Sequence, residues 1–100
     1  MNTSGIDLRD AFAQRVAVGE DSLTVELADG RTIAVPLAWF PRLLHATPAE
    51  LANWRLVGPG EGIHWPDLDE DIGVASLLAG RRSSETGESL RRWLDARQIK

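Results

Sequence analysis

The chain has 100 residues, a formal net charge of −4 and an isoelectric point near 5, which fit one small domain with a modest core. It contains no cysteine, which excludes disulfides, thiol catalysis and thiolate metal sites. No run of eighteen apolar residues is present, and the N-terminus lacks the apolar region of a signal peptide, so we expect a cytoplasmic protein without a membrane span.

The charge is distributed unevenly along the chain. Six of the 11 basic side chains lie in residues 80–100, whereas residues 1–79 are strongly acidic. Such a basic tail packs on its own acidic body, remains solvated, or binds a partner. The acidic balance of the whole chain argues against contacts with nucleic-acid phosphates or anionic membranes.

The first half of the chain predicts mainly strands. Residues 1–11 are expected to be frayed, and residues 12–18 form a first strand. Residues 22–35 alternate apolar and polar side chains on both sides of Gly30, which predicts a β-hairpin. Only a three-residue loop places Val25 opposite Ile33, so we expect a type I turn with a G1 bulge and a left-handed Gly30.

Short helices and two further strands are expected next. Pro41 favours one or two helical turns in residues 37–46, with Leu44 among the inward side chains. Thr47, Pro48 and Glu50 fit a capping box that starts a helix over 48–53. Strands near residues 54–57 and 62–65 flank a Gly-Pro-Gly turn.

The last third is expected to be helical. The acidic run 67–71 suits a helix start capped by Asp69, and Gly80 suits the C-terminal cap. Residues 81–100 comprise a polar linker and a basic amphipathic helix over about 86–98. These elements predict an α+β fold in which residues 12–80 form a single domain with a small antiparallel sheet.

Sequence motifs for catalysis or metal binding are weak. The acidic run lacks the Gly and Glu that a calcium loop needs at positions 6 and 12. His64 and Asp67 could form a small-molecule or metal site, although alternation favours a structural role for His64. Because no nucleophile motif is present, we expect no enzyme activity and no cofactor.

Tryptophan is unusually frequent, with four among six aromatic residues. Tryptophans of this kind pack in the core or its rim, and Trp and Arg are also the residues enriched at interface hot spots. The predicted interaction surface combines such residues with the acidic run: Trp39, Arg42, Trp65, Asp69, Glu70, Asp71, Arg92 and Trp93.

Two stretches of the chain resemble a known bacterial family. The first is LTVELADGR followed by VPLAWFPRL, in residues 23–43, and the second is NWRLVGPG followed by GIHWPDLDEDI and LLAG, in residues 53–80. This order and spacing resembles domain of unknown function 2442. The resemblance implies a small antiparallel sheet with no established catalytic residues. It also implies a regulatory or toxin–antitoxin-like pairing, because members are often encoded beside another small domain.

These observations favour a non-enzymatic protein-interaction or regulatory module that acts with another small protein or with a second copy of itself. Two alternatives stay open: nucleic-acid binding through the basic C-terminal helix, and ligand or metal binding near His64 and Asp67. Nucleic acid is the less favoured partner because the body is acidic.

Overall fold

Six short strands form two separate three-stranded antiparallel sheets in the computed structural model, which describes residues 11–98. The strands are β1 (Ala13–Val18), β2 (Ser22–Leu27), β3 (Thr32–Pro36), β4 (Arg55–Val57), β5 (Gly62–Trp65) and β6 (Glu70–Gly73). Each sheet is a simple meander, with β2 central in the first and β5 central in the second. The predicted α+β class is confirmed, and the expected strands divide between two sheets. The frayed segment expected at 1–11 falls outside the described residues except for Ala11.

The β2–β3 hairpin has the predicted register. Val25 pairs with Ile33 and Leu23 pairs with Val35, so the apolar side chains of both strands share one face. The N–H of Gly30 donates to the carbonyl of Leu27 at 3.0 Å, and Gly30 has a φ of +96°. A slip by one residue would turn these side chains to solvent, which is why burial selects the three-residue loop.

Within residues 11–98, four helices and one 3-10 turn connect or follow the strands. They are the turn Leu37–Trp39 and the helices α1 (Pro41–Leu44), α2 (Pro48–Ala52), α3 (Val74–Leu78) and α4 (Gly87–Gln98). Thr47 and Glu50 form the predicted capping box at the start of α2. Leu44 is 48% exposed, contrary to expectation, because the single turn of α1 directs Leu43 inward instead. No helix in residues 11–98 is long and apolar enough to span a membrane.

The acidic run forms a turn and a strand, not the predicted helix start. Glu70–Gly73 is β6, which pairs with β5 so that Ile63 lies opposite Ile72. Asp69 does not cap a helix; it lies in the turn before β6 with a φ of +52°, and Gly73 is the N-cap of α3. Ile72 is the only buried side chain of β6, so the sequence of this strand shows no alternation of apolar and polar residues.

The core lies between the two sheets and the short helices. Its largest fully buried side chain is Trp65, with Leu23, Leu27, Leu43, Ile63 and Leu68 around it in the same cluster. The indole N–H of Trp65 donates to the carbonyl of Leu51 at 3.1 Å, which satisfies the polar atom of this buried ring. The core therefore ties the β5 strand to α2.

Gly60 joins the turn between β4 and β5 to the first sheet. Its carbonyl accepts from the N–H of Ala13 at 2.8 Å, and its φ is +114°. A Cβ at this position would lie 2.4 Å from the carbonyl oxygen of Ala13. The close approach of the two sheets at this point therefore requires glycine.

Candidate functional site

A polar cleft lies between β6 and the segment that leads into α4. Its volume is about 460 Å³, and it opens to solvent. Its walls come from α1, β6, α3 and residues 81–89, and the lining side chains are mostly charged or hydroxyl-bearing. They include Phe40, Arg42, Asp69, Glu70, Asp71, Ile72, Ser76, Arg81, Arg82, Ser83, Ser84, Glu85 and Ser89.

Arg42 connects the two walls of the cleft. Its Nε and Nη2 donate to the carboxylate of Glu85 at 2.7 and 3.3 Å, and its Nη1 donates to the carbonyls of Leu68 and Asp69 at 3.0 and 3.3 Å. The side chains of Arg42 and Glu85 are 17% and 7% exposed. Arg42 and the hydroxyl of Ser89 both donate to the Glu85 carboxylate and lower its pKa, against the opposing effect of burial.

Trp93 of α4 lies between two guanidinium groups. Arg42 is 5.2 Å from the ring centroid and Arg97 is 4.5 Å from it, both in cation–π geometry. Arg97 in turn donates twice to the carboxylate of Glu50, at 2.7 and 2.9 Å. Hydrogen bonds from Arg97, and then from the N–H of Thr47, lower the pKa of Glu50 to about 2.

The linker before α4 is fixed at Trp39. The guanidinium of Arg82 lies 5.0 Å from the Trp39 ring centroid, and the N–H of Ser83 donates to the Trp39 carbonyl at 3.0 Å. Residues 81–98, which we call the C-terminal arm, thus pack on the segment from Trp39 to Glu50. Packing of the tail on its own body was one of the alternatives that the sequence left open.

The acidic wall of the cleft is formed by Asp69, Glu70 and Asp71. Asp69 and Asp71 are exposed, whereas Glu70 is half-buried. Burial raises the pKa of Glu70 to about 7; nearby Arg42 opposes this shift, and the carboxylates of Glu85, Asp71 and Asp69 add to it. The wall therefore holds one carboxyl group whose pKa is raised to near neutrality, and its sequence neighbours Asp69 and Asp71 are also acidic.

His64 and Asp67, which the sequence left open as an alternative ligand or metal site, have different hydrogen-bond partners in the structure. His64 faces Asp71 across the β5–β6 ladder, with Nδ1 and Oδ1 2.7 Å apart. Asp67 instead accepts from the Asn53 amide at 2.9 Å. Within residues 11–98, no group of three or more His, Asp or Glu side chains is arranged to hold a metal ion.

The structure brings half of the predicted interaction residues to the cleft. Arg42, Asp69, Glu70 and Asp71 line it. Trp93 contacts Arg42, and Trp39 contacts Arg82, in cation–π geometry. Both tryptophan side chains are half-buried. Arg92 is exposed on α4 and pairs with Glu88 of its own helix, at 3.3 Å.

The prediction that Trp65 belongs to the interaction surface is wrong, because its side chain is 0% exposed. Alternation placed it beside Ile63 on one face of β5, which is the face that the core covers. The sequence prediction also missed Glu85 and Arg97, which hold the arm. Their partners Arg42 and Glu50 lie 43 and 47 positions away, and no local pattern marks such pairs.

Two solved structures resemble this one. A protein of unknown function from Rhodospirillum rubrum, known from its crystal structure, is 27% identical with a TM-score of 0.66, over 76% of this chain and 94% of that chain. An uncharacterized protein from Chromobacterium violaceum, solved by NMR, is 22% identical with a TM-score of 0.64, over 84% of this chain and 77% of that one. The second likeness extends to the fold alone.

No functionally curated protein matches the sequence. A family model described as "Protein of unknown function (DUF2442)" matches residues 13–83, which include both sheets, α1, α2, α3 and the first part of the linker. Helix α4 lies beyond that match. The chain therefore belongs to the DUF2442 family.

Proposed function

We propose that this protein is a non-enzymatic interaction module that acts with another small protein, in a regulatory and antitoxin-like role. The cleft is the proposed binding site, and a lysine or arginine side chain of the partner enters it beside Glu70. The observation that carries this proposal is the half-buried carboxyl of Glu70, flanked by two further carboxylates on one wall.

The charge balance of the cleft supports a cationic partner group. Arg42 is a cation that acts on Glu70, but its guanidinium group already makes four hydrogen bonds, to Glu85 and to two backbone carbonyls. It therefore has little capacity left for Glu70. A partner ammonium or guanidinium group would compensate the buried carboxylate and gain a charge-assisted hydrogen bond.

The opposite wall of the cleft favours a peptide over a simple cation. Arg81 and Arg82 line that side together with Ser83 and Ser84. A partner segment that carries both an acidic and a basic residue would match both walls. Such complementarity increases specificity and association rate more than it increases affinity.

The contacts of the C-terminal arm disfavour nucleic acid as the partner. Arg82 stacks on Trp39, Arg97 is paired with Glu50, and Arg92 is paired with Glu88. These guanidinium groups would have to exchange their present partners for phosphates. The acidic wall of the cleft would also repel a nucleic acid.

An affinity experiment tests this function. The tagged full chain is recovered from its own host cells, and the co-eluting protein is identified by its intact mass. We expect a stoichiometric small protein, with its recovery lowered at least about tenfold by Glu70→Lys, since reversal of this charge repels a cationic group. Glu26→Lys, which makes the same change at an exposed site on β2, serves as the matched control.

Two results would contradict the proposal. One is an eluate without a partner at any salt concentration. The other is equal recovery with Glu70→Lys and Glu26→Lys, which would remove the cleft from the interaction. The antitoxin-like role further requires that the partner, when expressed alone, inhibits growth and that co-expression of this chain relieves the inhibition.

A further inference from the structure

Helix α4 is held to the body by few contacts. None of its described side chains is fully buried, and only Leu90, Trp93 and Leu94 form its apolar stripe. Its contacts with the body include the cation–π contact of Trp93 with Arg42, the ion pair of Arg97 with Glu50, and the packing of Trp93 against the hydrophobic core. Partly exposed ion pairs and cation–π contacts each contribute modestly, so this docking is reversible.

Apart from the hydrogen bond from the N–H of Arg81 to the carbonyl of Ser76, the polar and cation–π contacts that join the arm to the body in the described residues converge on one short segment. Arg82 and Ser83 contact Trp39, Glu85 and Trp93 contact Arg42, and Arg97 contacts Glu50. The segment from Trp39 to Glu50 is thus a docking surface for an amphipathic helix that carries an aromatic ring and a basic side chain. In the structure α4 occupies this surface, through Trp93 and Arg97.

The connection between α3 and α4 contains no helix or strand that would keep α4 on its own body. Gly80 follows α3 with a φ of +77°, and residues 81–86 form neither helix nor strand. Six extended residues span up to about 20 Å. Release of the Arg82, Ser83 and Glu85 contacts would therefore let α4 reach a second body. The family match ends at residue 83, so α4 is an addition to the part of the fold that the family shares.

We propose that the segment from Trp39 to Glu50 binds the arm of a second copy of this chain, and that two copies exchange arms to form a two-fold dimer. The charges that hold α4 to its own body are present in identical form on a second body, so no new surface is needed. A short linker keeps the chain's own arm at roughly millimolar effective concentration, so exchange becomes substantial only at similar protein concentrations.

Charge reversal at the Arg97–Glu50 pair tests arm exchange. In Glu50→Arg alone and in Arg97→Glu alone, body and arm carry like charges at this position in both the closed and the exchanged form. In an equal mixture of the two variants, both exchanged contacts are again opposite in charge. Native mass spectrometry, which separates the two chains by mass, is expected to show a heterodimer at least about tenfold above either homodimer.

Two further variants serve as controls. The double variant Glu50→Arg/Arg97→Glu restores opposite charges within one chain, and like Glu50→Arg it lacks the α2 capping box. We expect it to form dimers to the same extent as the wild type. Arg92→Glu makes the same charge change on the exposed face of α4, and its mixture with Glu50→Arg should give no heterodimer.

The proposal is overturned if the complementary mixture remains two monomers at concentrations near a millimolar. It is overturned equally if either single variant forms homodimers as readily as the mixture forms heterodimers, because a different surface would then hold the copies together.

Discussion

The Nε of Arg42 lies 2.7 Å from Oε1 of Glu85, and this pair joins two parts of the chain that are 43 residues apart. Through the same guanidinium group, Arg42 also donates to the carbonyls of Leu68 and Asp69. It therefore fixes both the turn that carries the acidic wall and the linker that carries the arm. The cleft has its present shape because one side chain contacts both walls.

Substitution of Arg42 should reduce stability more than substitution of an exposed arginine. In Arg42→Gln, the nearly buried carboxylate of Glu85 loses its cation, and two turn carbonyls lose a donor. We expect the free energy of unfolding to fall by about 2–3 kcal/mol, measured by urea denaturation. The control Arg92→Gln should change it by less than about 0.5 kcal/mol.

Arg42→Lys separates charge from geometry at this site. Lysine retains the positive charge but lacks the planar fork that reaches Glu85 and the backbone carbonyls together. We therefore expect a stability between those of the wild type and Arg42→Gln. Equal stability of Arg42→Gln and Arg92→Gln would show that the network around Arg42 contributes nothing.

Loss of Trp93 should detach the C-terminal arm without unfolding the body. Trp93→Ala removes the ring that lies between Arg42 and Arg97, while Trp65 and the rest of the core stay in place. Amide hydrogen exchange of α4 is expected to accelerate at least about tenfold, with the β2 and β5 amides unchanged. Trp93→Phe keeps an aromatic face and should accelerate exchange less.

The opposite pattern would contradict this assignment. If the β5 amides accelerated as much as those of α4, Trp93 would be part of the cooperative core and the arm would not be a separable unit.

Local patterns were sufficient for much of this fold. The alternation in residues 22–35 determined the hairpin register, and Thr47, Pro48 and Glu50 identified the start of α2. In each case the residues that determine the structure lie within a few positions of each other. Arg42, Asp69, Glu70 and Asp71 were chosen as part of an interaction surface, and tertiary packing brings them to one cleft; that they bind a partner stays a prediction.

The predictions were wrong where the structure of a segment depends on residues that are distant in the sequence. The acids before Ile72 are favourable at a helix start, but pairing with β5 makes Glu70–Gly73 a strand, and only one buried side chain marks it. Glu85 carries no local sign of its pairing with Arg42. The arm's contacts could be proposed only as one alternative because they depend on tertiary packing.

Gly60 should tolerate no side chain, whereas Gly30 should tolerate one at moderate cost. Both have a positive φ, but a Cβ at Gly60 would meet the Ala13 carbonyl at 2.4 Å, and a Cβ at Gly30 would meet nothing within 4 Å. We expect Gly30→Ala to lower the free energy of unfolding by about 1 kcal/mol and Gly60→Ala by at least about 3 kcal/mol. Similar losses in urea denaturation for the two variants would mean that the sheets are not in close contact at Gly60.

Glu70 should make the protein less stable as the pH rises toward neutrality. The pKa of Glu70 is raised from 4.5 to about 7 because burial disfavours its ionised form. The folded state therefore binds this proton more tightly than the unfolded state does. The corresponding stabilisation is complete below about pH 4.5 and is lost as the pH rises through about 7.

Glu70→Gln removes this dependence, because glutamine has the shape of the protonated acid and no charge to bury. Compared with the wild type, its free energy of unfolding should be higher by about 2 kcal/mol at about pH 8 and nearly equal at about pH 4. Titrating groups that do not interact with Glu70, Glu50 among them, affect both proteins equally and cancel in the difference. Glu26→Gln, at an exposed position of β2, should show the same small difference at both pH values. A Glu70→Gln difference that does not change with pH would mean that the pKa of this carboxyl group is the same in the folded and unfolded states, so that it is not the buried acid of the cleft.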